Sequence, residues 1–211
     1  MPFEIDFATM LVFATRGKND MSLKSRQIAG NLKSGNARVI ERLIHHIKQL
    51  PEEHPITQMF KEGPVLVPAP RSAPIVGDGL WPTKILCDHL VEAGLGGSVQ
   101  NFIARAKKVP KSSSFSSAEQ RPTCNTHFNS LIVVPPSAFI EKIILVDDVF
   151  TLGRTSCACV RKLSQSFPNA NVSVFAAMRT RGFIKVLDHI VQPSYNTMVY
   201  FPDNDKVKLP D

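Results

Sequence analysis

Short apolar segments alternate with stretches of helical periodicity along most of this chain. Residues 37–50 carry apolar side chains three and four positions apart and are followed by Pro51, which is typical of an amphipathic helix. Further helices are predicted at 82–93 and 156–167, and strands at 10–14, 65–67, 99–104, 131–134, 143–146 and 172–177. Strands that alternate with helices form parallel βαβ units. The predicted fold class is therefore α/β, with a mostly parallel central sheet flanked by helices.

The length and composition are those of a soluble globular protein. The 211 residues suffice for one domain with a sizeable core, and 43% of them are hydrophobic. No apolar run approaches the roughly 18 residues of a membrane-spanning helix, and the first residues lack the pattern of a secretory signal. The four cysteines include no CxxC pair, so no zinc site is predicted, and free thiols are typical of a reducing compartment. We therefore expect a cytoplasmic protein with no membrane partner.

The net charge of +7 indicates an anionic partner. Phosphorylated metabolites and nucleic acid both fit such a charge, and so does a basic surface that is merely solvated. No motif in the sequence favours nucleic acid, which therefore remains an alternative.

The sequence IILVDDVFTLGRT, residues 143–155, places two adjacent carboxylates after an apolar strand and before a helix. At the carboxyl end of a strand, Asp147 and Asp148 can reach two sides of one small ligand, and ionised carboxylates accept hydrogen bonds from a pair of hydroxyls. The turn that follows opens a helix whose unpaired N–H groups favour phosphate. It consists of Thr151, Leu152, Gly153, Arg154 and Thr155. A clamp for a diol followed by a cradle for a phosphate describes a ribose 5-phosphate site.

An acidic pair after a strand also occurs in other settings. The simplest is an acidic turn followed by a capped helix. A receiver domain carries its pair near the N-terminus, whereas here only 63 of the 211 residues follow Asp148. A haloacid-dehalogenase-like phosphatase needs an early aspartate in a D-x-D spacing, and this pair is contiguous and late. The complete 143–155 string therefore favours the sugar-phosphate site.

Residues 143–155 resemble the 5-phosphoribosyl 1-pyrophosphate (PRPP) motif of type I phosphoribosyltransferases, usually four apolar residues, D-D, two apolar residues and T-T-G-x-T. Leu152 stands where the second threonine is usual, and Arg154 where a small residue is common. The resemblance implies the type I phosphoribosyltransferase fold, with a hood from terminal segments that recognises the incoming base. It also implies transfer of phosphoribosyl from PRPP to an acceptor with release of pyrophosphate. The Mg²⁺ of this reaction would be held mainly through PRPP, with no side chain assigned as a direct ligand.

More of the chain resembles one branch, the ComF family. Segments 28–35, 66–74 and 104–128 are similar, in order, to its lysine-glycine segment, its V-P-x-P loop, and its arginine with a downstream polar stretch. Two features depart from that family. The chain has no four-cysteine zinc module at its N-terminus, and Ser112 or a neighbour replaces the glutamine that is usual in the polar stretch.

The resemblance implies further groups of site residues. The pyrophosphate loop would be formed by Ala69, Pro70, Arg71 and Ser72. A flexible basic loop that closes over PRPP would contain Lys107, Lys108, Lys111 and Arg121. Arg105 would join Asp147 and Asp148 in a catalytic role. Lys33, in the lysine-glycine segment, is a further candidate.

We expect three parts in the chain: 1–27 as an N-terminal segment and candidate hood, 28–181 as a phosphoribosyltransferase-like domain, and 182–211 as a C-terminal extension.

Three functions remain open. The first is a phosphoribosyltransferase. The second is a non-catalytic module that senses PRPP or a nucleotide and acts through a protein or nucleic-acid partner, in a competence or defence type role. The third is a DNA-associated protein that uses the fold as a scaffold. Homodimers are usual in the fold, so a homodimer is also a candidate state.

Overall fold

A computed structural model describes residues 1–74, 79–111, 114–115, 117–134, 139–181 and 184–210. Its helices are α1 (Asp20–Lys33), α2 (Ala37–Lys48), α3 (Pro55–Phe60), α4 (Pro82–Glu92), α5 (Cys124–Phe128) and α6 (Arg154–Ser166). Its strands are β1 (Phe3–Phe13), β2 (Val65–Pro68), β3 (Ser98–Val99), β4 (Ile103–Arg105), β5 (Leu131–Val133), β6 (Lys142–Phe150), β7 (Asn171–Thr180), β8 (Val191–Phe201) and β9 (Lys206–Lys208).

Seven of these strands form a central sheet in the order β3-β2-β6-β7-β1-β8-β9. The five strands from β3 to β1 run parallel to their neighbours, whereas β8 and β9 pair in antiparallel fashion beyond β1. A second sheet consists of the antiparallel pair β4 and β5. The predicted α/β fold with a mostly parallel central sheet is confirmed.

Helices cover both faces of the central sheet, because its parallel strands are apolar on both sides. On one face, α1, α2, α3 and α4 share a core that includes Ile40 and Leu86. On the other face, α6 and the β4–β5 sheet share a second core around Leu145 and Leu163. The helix predicted at 37–50 is confirmed as α2.

Strand β6 is longer than the sequence predicts. The predicted strand at 143–146 continues to Phe150, because Asp147 and Val149 remain paired with Ala176 and Met178 of β7. The acidic pair therefore lies within β6, and the expectation that it follows the end of the strand is wrong. Pairing on the β7 side alone is enough to keep the backbone extended.

Two other strand predictions differ from the structure. The segment predicted as one strand at 99–104 is divided between β3 in the central sheet and β4 in the second sheet. Strand β1 begins at Phe3 rather than at residue 10. Glu4 and Asp6 are exposed while Ile5 and Phe7 are buried, so the early part of β1 alternates between solvent and core.

Helix α1 is absent from the sequence prediction because it has no strong apolar stripe. Its buried residues are Ser22, Ser25, Ala29 and Leu32. The Ser25 hydroxyl donates to the carbonyl oxygen of Val12 at 2.9 Å and accepts from the backbone N–H of Ala14 at 3.0 Å. These hydrogen bonds satisfy a buried hydroxyl and hold α1 against the end of β1.

Both terminal segments contribute strands to the central sheet. β1 comes from 1–27, and β8 and β9 come from 182–211. The candidate hood at 1–27 therefore also supplies a strand that pairs with β7 on one side and with β8 on the other. None of the helices that the structure describes is long and apolar enough to cross a membrane.

Candidate functional site

A large open cleft lies at the carboxyl ends of β1, β2, β6 and β7. Strand β2 ends at Pro68, opposite Val146, so β6 beyond that point is no longer paired with β2. Helix α4, which follows β2, packs on one face of the sheet, and α6, which follows β6, packs on the other. Ligands of open α/β sheets bind where the connections diverge in this way. The cleft has a volume of about 1480 Å³, and Asp147 and Asp148 lie in its lining.

Asp147 and Asp148 are both partly accessible from this cleft. Asp147 accepts a hydrogen bond from the Ser156 hydroxyl at 3.1 Å and another from the backbone N–H of Asp148 at 2.9 Å. Asp148 accepts from the backbone N–H of Val149 at 2.7 Å. Each carboxylate is thereby oriented by its own surroundings, and together they leave acceptor oxygens for a ligand with two donors.

The environment of Asp147 disfavours its charged form. Burial of its carboxyl group raises the pKa of Asp147, and the negative charge of the adjacent Asp148 raises that pKa further. The Ser156 hydroxyl acts in the opposite direction, but it does not offset these two effects. A cation or a pair of hydroxyl donors in the cleft would favour the ionised form, so ligand binding and deprotonation of Asp147 are coupled.

The turn predicted to bind phosphate stands directly before α6. Gly153 precedes the first residue of the helix and has φ of 67°, in the left-handed region. A Cβ atom at this position would lie 2.9 Å from Cζ of Phe150, so the close approach of the chain requires glycine. A small cavity of about 40 Å³ is formed here by Arg121, Asp147, Val149, Phe150, Thr151, Leu152, Gly153, Arg154, Thr155 and Ser156. The free N–H groups at this end of α6 favour an anion in that cavity.

Arg121 belongs to both cavities. It lines the small one and also the large cleft. Its Nε atom is buried and makes no hydrogen bond within the part of the chain that the structure describes. A buried donor without a partner is costly, and a phosphate oxygen in the small cavity would satisfy it.

Arg154 contacts protein carbonyls. Its guanidinium donates to the carbonyl oxygens of Ala118, Arg121 and Pro122 at 3.0, 2.9 and 3.4 Å. These bonds connect residues 118–122, which precede α5, to the start of α6. Arg154 thus positions Arg121 beside the small cavity.

Substituting Arg154 by glutamine should release this stretch, because three carbonyl oxygens lose their donor. We expect cleavage by a glutamyl endopeptidase after the exposed Glu119 to be at least about fivefold faster than in the wild type, corresponding to about 1 kcal/mol of lost local stability. The exposed Arg38 provides the matched control, Arg38→Gln, which removes the same charge elsewhere and should leave the rate unchanged. Equal rates for all three proteins would contradict the positioning role.

The loop predicted to bind pyrophosphate follows β2, and all four of its residues line the cleft: Ala69, Pro70, Arg71 and Ser72. The carbonyl oxygen of Ala69 accepts hydrogen bonds from Trp81 Nε1 at 3.0 Å and from the Thr83 hydroxyl at 2.7 Å. The backbone N–H of Val109 donates to the carbonyl oxygen of Ser72 at 2.8 Å. The loop is therefore fixed at both ends, whereas the side chain of Arg71 is exposed.

Arg105 is buried beneath this loop and still reaches the cleft lining. Its Nε donates to the carbonyl oxygen of Arg71 at 3.1 Å, and its Nη1 donates to the carbonyl oxygen of His127 at 3.3 Å and to the Ser130 hydroxyl. Burial lowers the pKa of Arg105 from its ordinary high value. These contacts connect the loop after β2 to α5, so Arg105 supports the shape of the cleft.

The remaining basic residues are divided between the cleft and the outer surface. Lys33 and Lys111 line the cleft, while Lys107 and Lys108 are exposed and lie outside its lining. Ser112, predicted to replace the usual glutamine, lies outside the described residues.

Sequence reasoning missed three arginines in the cleft lining. Arg16 follows β1, Arg179 lies near the end of β7, and Arg181 follows β7. A basic residue directly after a predicted strand was the available signal. It carried little weight because the chain order does not reveal that β1 and β7 are neighbours.

No group of three His, Cys, Asp or Glu side chains within the described residues could hold a metal ion. Within the described part of the chain, the carboxylates that line the cleft are Asp147 and Asp148. Mg²⁺ is commonly held by one or two carboxylates together with substrate phosphates and waters. The donor set of the cleft fits an ion bound in this shared way.

Known proteins similar to this chain are found among solved structures. No protein-family model matches the chain, and no curated protein matches it. A solved hypoxanthine phosphoribosyltransferase from Staphylococcus aureus shares 8% identity, with 79% of this chain and 70% of that chain covered and a TM-score of 0.34. For a hypoxanthine phosphoribosyltransferase from Trypanosoma cruzi the identity is 13%, the coverage 78% and 70%, and the TM-score 0.32.

Proposed function

We propose that this protein binds PRPP together with Mg²⁺ and transfers the phosphoribosyl group to an acceptor, with release of pyrophosphate. The observation that carries the proposal is that Asp147 lies in the wall of two adjoining cavities, one of which is formed by the turn around Gly153. The carboxylate pair would accept hydrogen bonds from the two ribose hydroxyls. The turn would hold the 5-phosphate through backbone N–H groups and Arg121.

The leaving group would lie on the β2 side of the acidic pair. The fixed loop 69–72 presents Arg71 there, and Lys33 and Lys111 line the same cleft. Three cations can neutralise the charge of pyrophosphate as it forms. Mg²⁺ would be held by the phosphates of PRPP and by Asp147 or Asp148, directly or through water, and would add positive charge beside the leaving group.

The reaction would be a displacement at C1 of the ribose. The bond from C1 to the pyrophosphate oxygen breaks with its electron pair leaving on pyrophosphate, and a lone pair of the acceptor forms the new bond to C1. Positive charge develops on the sugar ring during this exchange. The carboxylates of Asp147 and Asp148 favour that charge while they hold the ring in place, so no covalent nucleophile is needed.

Closure of the cleft would depend on the basic stretch between β4 and α5. Arg154 ties the end of this stretch to α6, while the hydrogen bond from the backbone N–H of Val109 to the carbonyl oxygen of Ser72 fixes its beginning. Residues between these two anchors could cover PRPP and exclude water from C1. Lys107 and Lys108 are proposed to contribute after such a movement.

Calorimetric titration of PRPP into the wild-type protein, with and without Mg²⁺, tests the proposal. We expect binding that is tighter with Mg²⁺, and weaker binding of ribose 5-phosphate because it lacks the pyrophosphate contacts. No binding of PRPP under either condition would refute the proposal. Release of pyrophosphate on addition of acceptors then separates a transferase from a module that binds PRPP without turnover.

Three broader assignments are also proposals. The order of the segments at 28–35, 66–74, 104–128 and 143–155 supports a ComF-like branch. A homodimer is proposed because dimers are usual among the type I phosphoribosyltransferases that the sequence resembles. A cytoplasmic location is proposed because the four buried cysteines are free thiols. Sedimentation at several protein concentrations tests the dimer.

A further inference from the structure

The tripeptide Thr-Arg-Gly occurs twice in the chain, at 15–17 and at 180–182. The first copy follows β1, and the second begins at the last residue of β7. These two strands are parallel neighbours, and their last pair is Phe13 with Thr180. Although 165 positions separate the copies in sequence (15 to 180), Arg16 and Arg181 leave the sheet at the same edge.

The threonine and the arginine of both copies belong to the lining of the large cleft: Thr15 and Arg16, and Thr180 and Arg181. The Thr180 hydroxyl oxygen is buried and makes no hydrogen bond within the described part of the chain. A buried polar atom without a partner among the described residues is a candidate contact for a ligand or a water. Phe13 and Ile184 line the same region and pack against the apolar core, so they offer non-polar walls beside these polar groups.

The position of this group relative to the acidic pair matches the acceptor in the proposed reaction. The loop 69–72 follows β2 on one side of β6, whereas β7 and β1 lie on the other side. A displacement at C1 requires the acceptor to approach from the side opposite the leaving group. The ends of β7 and β1 are therefore where the acceptor would bind.

The described residues of the cleft lining carry more positive charge than PRPP needs. Among the described residues, the cations of its lining are Arg16, Lys33, Arg71, Arg105, Lys111, Arg121, Arg179 and Arg181, and the carboxylates are Asp147 and Asp148. PRPP carries roughly five negative charges at neutral pH, and Mg²⁺ offsets two of them. The excess of positive charge is concentrated at the ends of β1 and β7, beyond the predicted phosphate contacts.

We propose that the paired Thr-Arg segments bind the carboxylate of a planar, anionic acceptor, such as a carboxylated heteroaromatic base. The inference rests on the proposed function for its direction of attack. The two guanidiniums would pair with the carboxylate as forks, the Thr180 hydroxyl would donate to it, and Phe13 and Ile184 would contact the ring. An uncharged base would lack the anionic acceptor that makes hydrogen bonds from a guanidinium strong.

The test uses two matched pairs of probes, orotate with uracil and nicotinate with nicotinamide, each titrated into the full chain with and without PRPP and Mg²⁺. In the wild type we expect at least one carboxylate to bind about tenfold more tightly than its uncharged partner, as two charge-assisted hydrogen bonds allow. Arg16→Gln and Arg181→Gln should each remove most of this preference. The control Lys185→Gln, an exposed residue outside the lining, should retain it.

The outcomes are distinguishable from those of the proposed function. Equal binding of charged and uncharged probes, or the same loss in the Lys185 control, would overturn the acceptor assignment even if PRPP binds. Failure of PRPP to bind would refute the proposed transfer, whereas a carboxylate preference that depends on Arg181 would still support the anion site. Binding of a DNA duplex that is lost in the two arginine variants, without any carboxylate preference, would overturn the assignment in favour of nucleic acid.

Discussion

Replacing Asp147 and Asp148 together by asparagine is expected to weaken PRPP binding by a factor of about 100 or more. Each carboxylate would accept a charge-assisted hydrogen bond from a ribose hydroxyl, and such bonds contribute about 1.5–3 kcal/mol each. An amide keeps the shape but loses the charge, both for the hydroxyls and for the Mg²⁺ that accompanies PRPP. Calorimetry of the double variant with PRPP and Mg²⁺ measures the change directly.

The exposed Asp203 offers a matched control, because Asp203→Asn removes the same charge outside the cleft lining. This variant should bind PRPP like the wild type. Binding by the double variant that stays within about twofold of the wild type would show that the acidic pair does not hold the sugar. Circular dichroism of each variant establishes that the comparison is made between folded proteins.

The single variant Asp147→Asn should weaken PRPP binding but stabilise the fold at alkaline pH. The pKa of Asp147 is raised in the folded protein, first by burial and then by Asp148. The fold favours the neutral carboxyl group. The stability that this group contributes is therefore complete below the ordinary aspartate pKa, and it is lost as the pH rises through the raised pKa and the group ionises in the folded protein. Asparagine imitates the neutral form at every pH. We expect the unfolding free energy of the variant, relative to the wild type, to increase between pH 5 and pH 9.

If replacing Asp147 stabilises the fold and lowers the affinity for PRPP, the residue serves function rather than stability. Chemical denaturation at the two pH values measures the first effect, and calorimetry the second. An unchanged difference between the two pH values would show that Asp147 is ionised in the fold without a ligand. The acidic pair would then be preorganised in its charged form.

The sequence predicts the parts of this fold that depend on local patterns. Alternation of apolar segments with amphipathic ones was enough for the α/β sheet and for helix α2. It failed for α1, because Ser22 and Ser25 fill positions where apolar residues mark a core-facing stripe. The longer β6 was missed for another reason, since its extension depends on pairing with β7, which is decided by tertiary contacts.

The same division applies to the candidate site. The acidic pair and the Gly153 turn are contiguous in sequence, so their adjacency follows from the chain itself. Arg154 was expected near phosphate and lines the small cavity, and its hydrogen bonds go to carbonyl oxygens of a segment more than 30 positions away, which the sequence does not indicate. The placement of Arg16 and Arg181 at the same edge of the sheet is still less local. It follows from the insertion of β1 beside β7, which no local pattern indicates.

Gly153→Ala is expected to lower both the stability of the fold and its affinity for ribose 5-phosphate. The left-handed φ of 67° costs a residue with a Cβ atom, and such strained conformations cost about 1–3 kcal/mol. The added atom would also lie 2.9 Å from Cζ of Phe150 and 3.2 Å from Sδ of Met198. Phe150 cannot easily yield, because its ring stacks on that of Phe7 at 4.7 Å between centroids. Thermal unfolding and calorimetry with ribose 5-phosphate measure the two effects.

The control is Gly30→Ala, which should raise the stability of the fold where Gly153→Ala lowers it. Gly30 lies within α1 in open space, with nothing within 4 Å of an added Cβ atom. Gly30→Ala should therefore stabilise the protein by about 0.5–1 kcal/mol, because glycine is unfavourable inside a helix, and should leave sugar-phosphate binding unchanged. If Gly153→Ala behaved like Gly30→Ala in both measurements, the turn before α6 would be free to relax, and a rigid phosphate cradle at that position would be wrong. A loss of binding at a temperature where Gly153→Ala remains folded would instead place the effect in the geometry of the cradle.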